Sequence, residues 1–205
     1  MKTLLFIGDS ITDSHRLFLD APHSLGDGYV SMIHAQLPQD EYTVINRGHD
    51  GFTSADLLRC LKRDCLTLSP DVITILIGVN DIAAQIYGQI NRIPTEFETI
   101  YGSILAKIRC CLPGARLILM EPFVFSRPAE YLKFHPYIRQ ESRIIQNLAA
   151  GCGGIFLPLH DRMNSQNDAL GGSPLTVDGI HLSEEGARLL ASLWLEAAAS
   201  CLTPD

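Results

Sequence analysis

Three side chains in this sequence have the types and order needed for a nucleophile, a general base and a partner that orients the base. The first is Ser10, which follows an apolar run at residues 4–7 and a glycine, Gly8. This pattern is typical of a buried strand that ends in a sharp turn. Two interpretations of Ser10 remain open from this stretch alone. Serine is a common helix N-cap, and a serine beyond the carboxyl end of a strand is also well placed to meet a ligand.

The candidate base and its partner lie near the other end of the chain, where Asp178 precedes His181 by three residues. A tight turn can bring the carboxylate back to the imidazole and keep one ring nitrogen protonated. The other nitrogen of the neutral ring is then free to accept a proton from Ser10. Taken singly, His181 is better explained as an exposed loop histidine, and Asp178 as a turn former before Gly179.

Candidate hydrogen-bond donors follow the two strands predicted to flank the first one. Gly48 offers a backbone N–H without a side chain, and Asn80 offers a side-chain amide. Together with the N–H of Ser10, these groups could form an oxyanion hole. Acyl transfer needs such donors because negative charge develops on the carbonyl oxygen in the tetrahedral intermediate.

The elements that must position these residues alternate between short apolar runs and helix-like stretches. The predicted strands are residues 3–8, 42–46, 71–78, 115–121 and 154–158. The predicted helices are residues 29–37, 54–66, 95–111, 136–150 and 184–201. This alternation favours a parallel sheet with helices on both faces. We therefore expect a flavodoxin-like α/β/α sandwich, five-stranded, in the order 2-1-3-4-5.

Three connections after predicted strands are longer than a simple turn: residues 15–28, 82–94 and 122–135. All three follow the carboxyl ends of strands, so we expect them on the same rim, where binding surfaces are often built. The chain contains no linker, repeat or low-complexity tract, so residues 1–205 are interpreted as a single domain.

Composition excludes several classes of partner. The chain has 205 residues, 46% hydrophobic and 19% charged, with a formal net charge of -7 and no basic block. Nucleic acid and anionic membranes are therefore poor partners. No segment is long enough to insert across a bilayer, and the N-terminal apolar run is too short for a signal peptide.

The cysteines indicate a reducing compartment. None of the six lies in a C-x-x-C pair, and several occupy apolar positions of helix-like stretches. We interpret them as buried free thiols of a cytoplasmic protein.

Four short blocks in order resemble those of the SGNH hydrolases, also called the GDSL esterase family, over nearly the whole chain. The blocks are Gly8-Asp9-Ser10, Gly48, Gly78-Val79-Asn80-Asp81 and Asp178-Gly179-Ile180-His181. The resemblance implies Ser10 as nucleophile, His181 as general base and then acid, and Asp178 as its orienting partner. It also implies Ser10, Gly48 and Asn80 as the oxyanion donors, with no cofactor and no metal.

The segment from Gly8 to Asp13, with Gly26 to Val30, is similar to the branch that contains acetylxylan esterases and other carbohydrate deacetylases. Members of that branch are often oligomeric, which implies a homo-oligomer here. The chain departs from the branch at Val177, where some members have tryptophan, and at Ala83 and Ala84, where an aromatic is common. These departures bear on the sugar substrate more than on the chemistry.

Other polar residues near the predicted strand ends are candidate substrate contacts. These are Asp9, His49 and Arg127. Asp9 can also hold its turn through backbone hydrogen bonds. The adjacent pair at His160 and Asp161 is interpreted as part of a strand-exit loop, because neighbouring residues do not share a face.

We therefore expect a serine esterase that acts on a small-molecule ester, most simply an O-acetyl group on a sugar or similar polar carrier. A thioesterase or lysophospholipase would use the same five residues. It would need an apolar cleft, which Ile82, Ile86, Tyr87 and Ile90 could line. A non-catalytic binding module on the same fold fits less well, because it has no need for Ser10 together with the Asp178–His181 pair.

Overall fold

In a computed structural model, residues 1–16, 23–88, 94–171 and 174–202 are described. Their five strands form one parallel sheet in the order 2-1-3-4-5, which confirms the predicted fold. The strands are β1 (Lys2–Gly8), β2 (Tyr42–Gly48), β3 (Val72–Leu76), β4 (Arg116–Met120) and β5 (Ile155–Leu157).

Helices cover both faces of the sheet. They are α1 (Ser10–Asp13), α2 (Tyr29–Gln36), α3 (Ser54–Asp64), α4 (Val79–Ile86), α5 (Pro94–Cys111), α6 (His135–Cys152), α7 (His160–Ala169) and α8 (Glu184–Leu202). Short 3-10 turns lie at Leu66–Leu68 and Ala129–Phe134. None of the helices in the described ranges is both long enough and apolar enough to traverse a bilayer.

Alternation along β1 divides the core into two layers. Leu4 and Phe6 pack in the cluster that contains Trp194 of α8 and residues of α2. Leu5 and Ile7 pack on the opposite face, against α3, α5 and α6. Successive side chains of a strand point to opposite faces, so a strand buried on both sides reads as the continuous apolar run seen in the sequence.

The register brings the ends of the central strands to one edge. Gly8 is paired with Gly48 of β2 and with Leu76 of β3. A Cβ on Gly8 would lie 2.2 Å from the carbonyl oxygen of Leu76, so only glycine permits this approach. The chain can therefore turn immediately after β1 and present Ser10 at the carboxyl edge of the sheet.

Three helices were not predicted: the short α1, α4 and α7. Helix α4 occupies part of the expected loop 82–94, of which residues 89–93 lie outside the described part of the chain. Helix α7 begins at His160, which corrects the interpretation of this residue as part of a loop. The Glu121 side chain accepts the N–H groups of Leu159 and His160 at 2.6 and 2.7 Å. This carboxylate supplies a cap that the local sequence lacks, since Leu159 makes no side-chain capping bond.

All six cysteines are free thiols, but they are not all buried as expected. Cys65 and Cys201 are buried, whereas Cys110 and Cys111 are exposed near the end of α5.

Candidate active site

The turn after β1 holds Ser10 at the start of a short helix. Asp9 is the N-cap of α1, and its carboxylate accepts the N–H of Ile11 at 3.0 Å. Ser10 is therefore the first helical residue and not the cap, so its hydroxyl is not used to satisfy the backbone of its own helix.

The structure brings Ser10, His181 and Asp178 together in one hydrogen-bonded series. His181 Nε2 lies 3.0 Å from Ser10 Oγ, across 171 positions of sequence. His181 Nδ1 lies 2.6 Å from Asp178 Oδ2. With Nδ1 protonated and bonded to the carboxylate, Nε2 carries the lone pair that faces the hydroxyl. The geometry is that of a nucleophile, a base and a group that orients the base.

The loop that carries the base, residues 176–182, is held by its own backbone and by neighbouring side chains. Thr176 Oγ1 accepts the N–H of Gly179 at 2.7 Å and donates to the carbonyl of His181 at 2.8 Å. Gly179 has a φ of +99°, and a Cβ there would lie 2.6 Å from the Tyr131 ring. The carbonyl of Gly179 also accepts the N–H of Phe125 at 2.8 Å. Glycine at this position thus lets the loop lie flat against the segment that follows β4.

The electrostatics of the base follow from these bonds. Burial alone would raise the pKa of Asp178, but hydrogen bonds from the His181 ring and from the N–H groups of Ile180 and His181 outweigh it. The pKa of Asp178 is therefore lower than usual, and the carboxylate stays ionised beside the imidazole.

Gly48 does not offer the free N–H that the sequence predicted. Its N–H donates to Asn46 Oδ1 at 2.8 Å, and the bond is buried. A Cβ on Gly48 would lie 2.2 Å from the backbone nitrogen of Asp13. Gly48 is therefore needed for close packing of β2 against α1, and its expected role as an oxyanion donor is corrected.

A second glycine, three residues after Gly48, has the available N–H that was expected of Gly48. Gly51 lies in a turn of residues 49–52, closed by the Phe52 N–H donating to the His49 carbonyl at 3.2 Å. Its φ is +71°, and its N–H makes no hydrogen bond within the described part of the chain. The Asp50-Gly51 dipeptide is a strong turn signal that could have identified this position.

Asn80 adjoins the same turn. One Asn80 Nδ2 N–H donates to the carbonyl of Phe52 at 2.9 Å, which leaves the second N–H of the amide available. Next to it, Asp81 accepts the N–H and the hydroxyl of Ser54 at 2.8 and 2.7 Å. These bonds fix the starts of α3 and α4 against each other, beside the Ser10 turn.

The three expected substrate contacts have different positions. Asp9 is 1% exposed, and its carboxylate caps the start of α1. Its side chain therefore cannot touch a substrate, which corrects that expectation. The His49 ring bonds Asp64 at 3.0 Å and stacks on Phe52, and it is absent from the cleft lining. Arg127 is exposed on the segment after β4 and does not line the cleft either.

Two further buried acids lie below the site. Burial raises the pKa of Asp9 to about 7, despite the opposing bond from Ile11. Burial, together with the charge of Asp81, also raises the pKa of Glu141 well above its usual value. Glu141 packs against the backbone of Gly78, where an added Cβ would lie 2.3 Å from its Oε2.

A cleft of about 770 Å³ opens beside Ser10 and His181. Its walls come from the segment after β1, the start of α2 and residues 177–187. The lining includes the carboxyl side chains of Asp27, Asp50 and Glu184 and apolar groups such as Met32 and Val177. The volume is in the range of small-molecule sites, and the mixed lining suits a ligand with several polar groups.

A doubly wound sheet with a serine, a histidine and an aspartate in contact at its carboxyl edge is an arrangement of the serine hydrolase class. Comparison with protein families makes the assignment specific. The model of the GDSL-like Lipase/Acylhydrolase family matches residues 6–189. The chain belongs to this family, and it is a carboxylic ester hydrolase.

Individual relatives agree with this assignment. An acetylxylan esterase from Geobacillus stearothermophilus is 29% identical over 205 residues, which cover 95% of this chain and 92% of the relative. A crystal structure of Axe2, an acetylxylan esterase from the same organism, has a TM-score of 0.79 at 26% identity, with 96% of this chain and 93% of that chain covered. A GDSL-like lipase candidate from Parabacteroides merdae has a TM-score of 0.89 at 28% identity, covering 97% and 95%.

Catalytic mutants of Axe2 are among the similar structures, and they replace a histidine, an aspartate or a serine with alanine. These residue types are the three that meet at the cleft of the present chain.

Proposed function

We propose that this chain hydrolyses small acyl esters through a covalent intermediate on Ser10. His181 Nε2 removes the proton of the Ser10 hydroxyl as Oγ attacks the acyl carbon. The C–O bond to the alcohol then breaks, and the alcohol takes the proton from His181. In the second half, water attacks the acyl carbon and gives a proton to His181. The bond between the acyl carbon and Ser10 Oγ then breaks, Oγ takes the proton back from His181, and the acid leaves. The observation that carries this proposal is the 3.0 Å contact between His181 Nε2 and Ser10 Oγ.

The oxyanion donors in this proposal are the N–H of Ser10, the N–H of Gly51 and the side chain of Asn80. Gly51 replaces Gly48 because its N–H meets no acceptor among the described residues, whereas that of Gly48 is bonded to Asn46. Each donor of this kind contributes about 2.7–4 kcal/mol in well-studied cases.

The substrate class is an O-acetyl ester on a carbohydrate or similar polyol. Two observations support it: the acetylxylan esterase relative spans almost the whole chain, and the cleft beside Ser10 carries several carboxylates that can accept bonds from hydroxyl groups.

A long-chain substrate finds less support. Ile82 is fully buried against Val124, Phe134 and other residues under the rim, and Ile86 packs on the same cluster. Tyr87 does not line the cleft, and Ile90 lies outside the described residues. The apolar cleft that a lysophospholipase or thioesterase would need is therefore not formed by this set.

The first experiment tests the nucleophile. Ser10→Ala should abolish hydrolysis of p-nitrophenyl acetate and labelling by a fluorophosphonate probe while leaving the melting temperature unchanged. Wild-type activity or labelling in this variant would overturn the proposal.

The second experiment tests the substrate. Acetylated xylooligosaccharides and a series of p-nitrophenyl esters from acetate to palmitate should show the highest kcat/KM for acetyl groups. A rising kcat/KM with chain length would instead favour the lipid-directed alternative.

We also propose that residues 1–205 act as one catalytic domain, since one sheet and its helices carry every residue of the site. Six free thiols support a reducing, cytoplasmic setting. The homo-oligomer implied by the sequence resemblance is tested by sedimentation velocity.

A further inference from the structure

The 49–52 turn controls two of the proposed oxyanion donors at once. Gly51 contributes its own N–H, and the Phe52 carbonyl accepts one Asn80 Nδ2 N–H at 2.9 Å, which sets the direction of the second. A shift of this turn would therefore move both donors relative to the acyl carbon.

The His49 side chain braces this turn from the side away from the cleft. Its ring stacks on Phe52 with centroids 4.3 Å apart and an interplanar angle of 19°. His49 Nε2 lies 3.0 Å from Asp64 Oδ2 at the end of α3, where the ring N–H donates to the carboxylate. Only 17% of the His49 side chain and 10% of the Asp64 side chain are exposed.

Asp64 is itself fixed. Arg63 Nε and Nη2 donate to its two carboxylate oxygens, each at 2.7 Å. The brace therefore runs from the end of α3 through Asp64 and His49 to the first and last residues of the turn. If His49 only filled space, stacking on Phe52 would be enough. Its hydrogen bond to Asp64 indicates that the orientation of the ring also matters.

We infer that His49 and Asp64 are a positioning pair that holds the 49–52 turn, and with it Gly51 and Asn80, in the geometry that receives the oxyanion. This inference rests on the proposed function. Neither residue touches the substrate. Oxyanion bonds matter most in the transition state, so loosening the turn lowers kcat and leaves KM nearly unchanged.

The experiment compares two substitutions at His49, each of which keeps one of its two contacts and loses the other. His49→Phe keeps an aromatic ring for stacking on Phe52 but loses the bond to Asp64. His49→Gln loses the ring and keeps an N–H donor near the position of Nε2. His34→Phe on α2 provides the same chemical change away from the turn and should leave activity unchanged.

We expect His49→Phe to lower kcat on p-nitrophenyl acetate by about 10- to 100-fold, the scale of a small misplacement of catalytic groups. Inactivation by a fluorophosphonate should slow in parallel, because its phosphoryl oxygen takes the place of the oxyanion. KM should stay within about twofold, and His49→Gln should recover most of kcat.

Asp64→Asn and the double variant His49→Phe/Asp64→Asn complete a double-mutant cycle, which measures the coupling between the two residues. If the two residues act as a pair, the double variant loses no more than His49→Phe alone. Active-site titration corrects every kcat for the folded fraction. Wild-type kcat in His49→Phe, a loss explained by the unfolded fraction, or a rise in KM with unchanged kcat would each overturn the inference.

Ser10→Ala, measured in the same series, separates the two proposals. An inactive Ser10→Ala beside a fully active His49→Phe refutes only the positioning pair. An active Ser10→Ala refutes the proposed function itself.

Discussion

Asp178 bonds both the ring and the backbone of His181. Its Oδ2 lies 2.6 Å from His181 Nδ1, while its Oδ1 accepts the backbone N–H of His181 at 2.8 Å. One carboxylate therefore fixes the shape of the turn and the proton position on the imidazole together. The two tasks use different oxygens, so substitution can separate them.

Asp178→Asn should retain the turn and lose the chemistry. The amide oxygen can still accept the backbone N–H groups, but the amide nitrogen cannot accept the proton of His181 Nδ1. The ring then favours the tautomer with the proton on Nε2, which cannot act as a base toward Ser10. We expect kcat to fall by about 10⁴-fold with little change in melting temperature.

Kinetics with p-nitrophenyl acetate and a thermal melt measure both quantities. Asp40→Asn, at an exposed carboxylate before β2, is the control and should behave as wild type. Retention of more than a tenth of wild-type kcat by Asp178→Asn would contradict the assignment of Asp178 to the base.

Removal of the Asn80 amide should cost transition-state stabilisation. Asn80→Ala deletes the second N–H of the amide, which no carbonyl of its own turn uses. We expect kcat to fall by about 10²- to 10³-fold with KM changed only slightly. Steady-state kinetics decide the matter, with the exposed Asn147→Ala on α6 as the matched control. A purely KM effect would show that Asn80 binds the ground state instead.

Gly179 and Gly171 form a natural pair for testing the 176–182 loop. Both have a strongly positive φ, +99° and +95°, so alanine at either site should cost about 1–2 kcal/mol of folding free energy. Gly171 has no described atom within 4 Å of an added Cβ, whereas that of Gly179 would meet the Tyr131 ring at 2.6 Å. Gly179→Ala should therefore displace the loop and lower kcat, and Gly171→Ala should not.

The readout for this pair is kcat together with the free energy of unfolding in urea. The added Cβ would also lie 2.7 Å from Pro128 Cδ. Adding Tyr131→Ala to Gly179→Ala therefore removes one of the two collisions and should restore part of kcat. Equal kcat losses at the two glycines would mean that backbone strain, and not the collision, controls the loop.

Asp9 should make stability depend on pH. Burial raises its folded-state pKa to about 7, well above the ordinary 3.8. Between these values the native state holds a proton that the unfolded state has released, so this group lowers stability as the pH rises from about 4 to 7. The slope is at most about 1.4 kcal/mol per pH unit for one proton.

Asp9→Asn should remove that slope, because asparagine is always neutral and caps a helix as well as aspartate does. Urea unfolding at several pH values, followed by the fluorescence of the single tryptophan, Trp194, gives the free energies. The free energy of unfolding of the wild type should fall relative to that of Asp9→Asn as the pH rises. Parallel pH curves would show that Asp9 is ionised throughout the range.

The strands and the Asp178–His181 contact could be predicted because their signals are local. Continuous apolar runs specify strands buried on both faces, and the residues that follow such strands must meet at one edge of a parallel sheet. The spacing of Asp178 and His181 also fits within one turn, so their contact does not depend on the rest of the fold.

The errors arose where a long-range contact decided the outcome. Helix α7 begins where it does because Glu121, far away in sequence, accepts its first N–H groups. Gly48 loses its expected role because its N–H donates to Asn46 Oδ1 two residues earlier. The Asn46 amide is itself held by the carbonyls of Thr12 and Leu25, which are distant in sequence.

The sequence by itself thus predicted the sheet, its order and the side chains that perform the proposed chemistry, since continuous apolar runs specify buried strands and the ends of parallel strands meet at one edge. Only the tertiary structure decided which glycine has a free N–H, that Asp9 is buried, and that His49 faces Asp64 and not the cleft. A backbone N–H is available to a ligand only if no neighbouring acceptor already binds it. Which acceptors lie beside a given N–H depends on the packing of the whole fold.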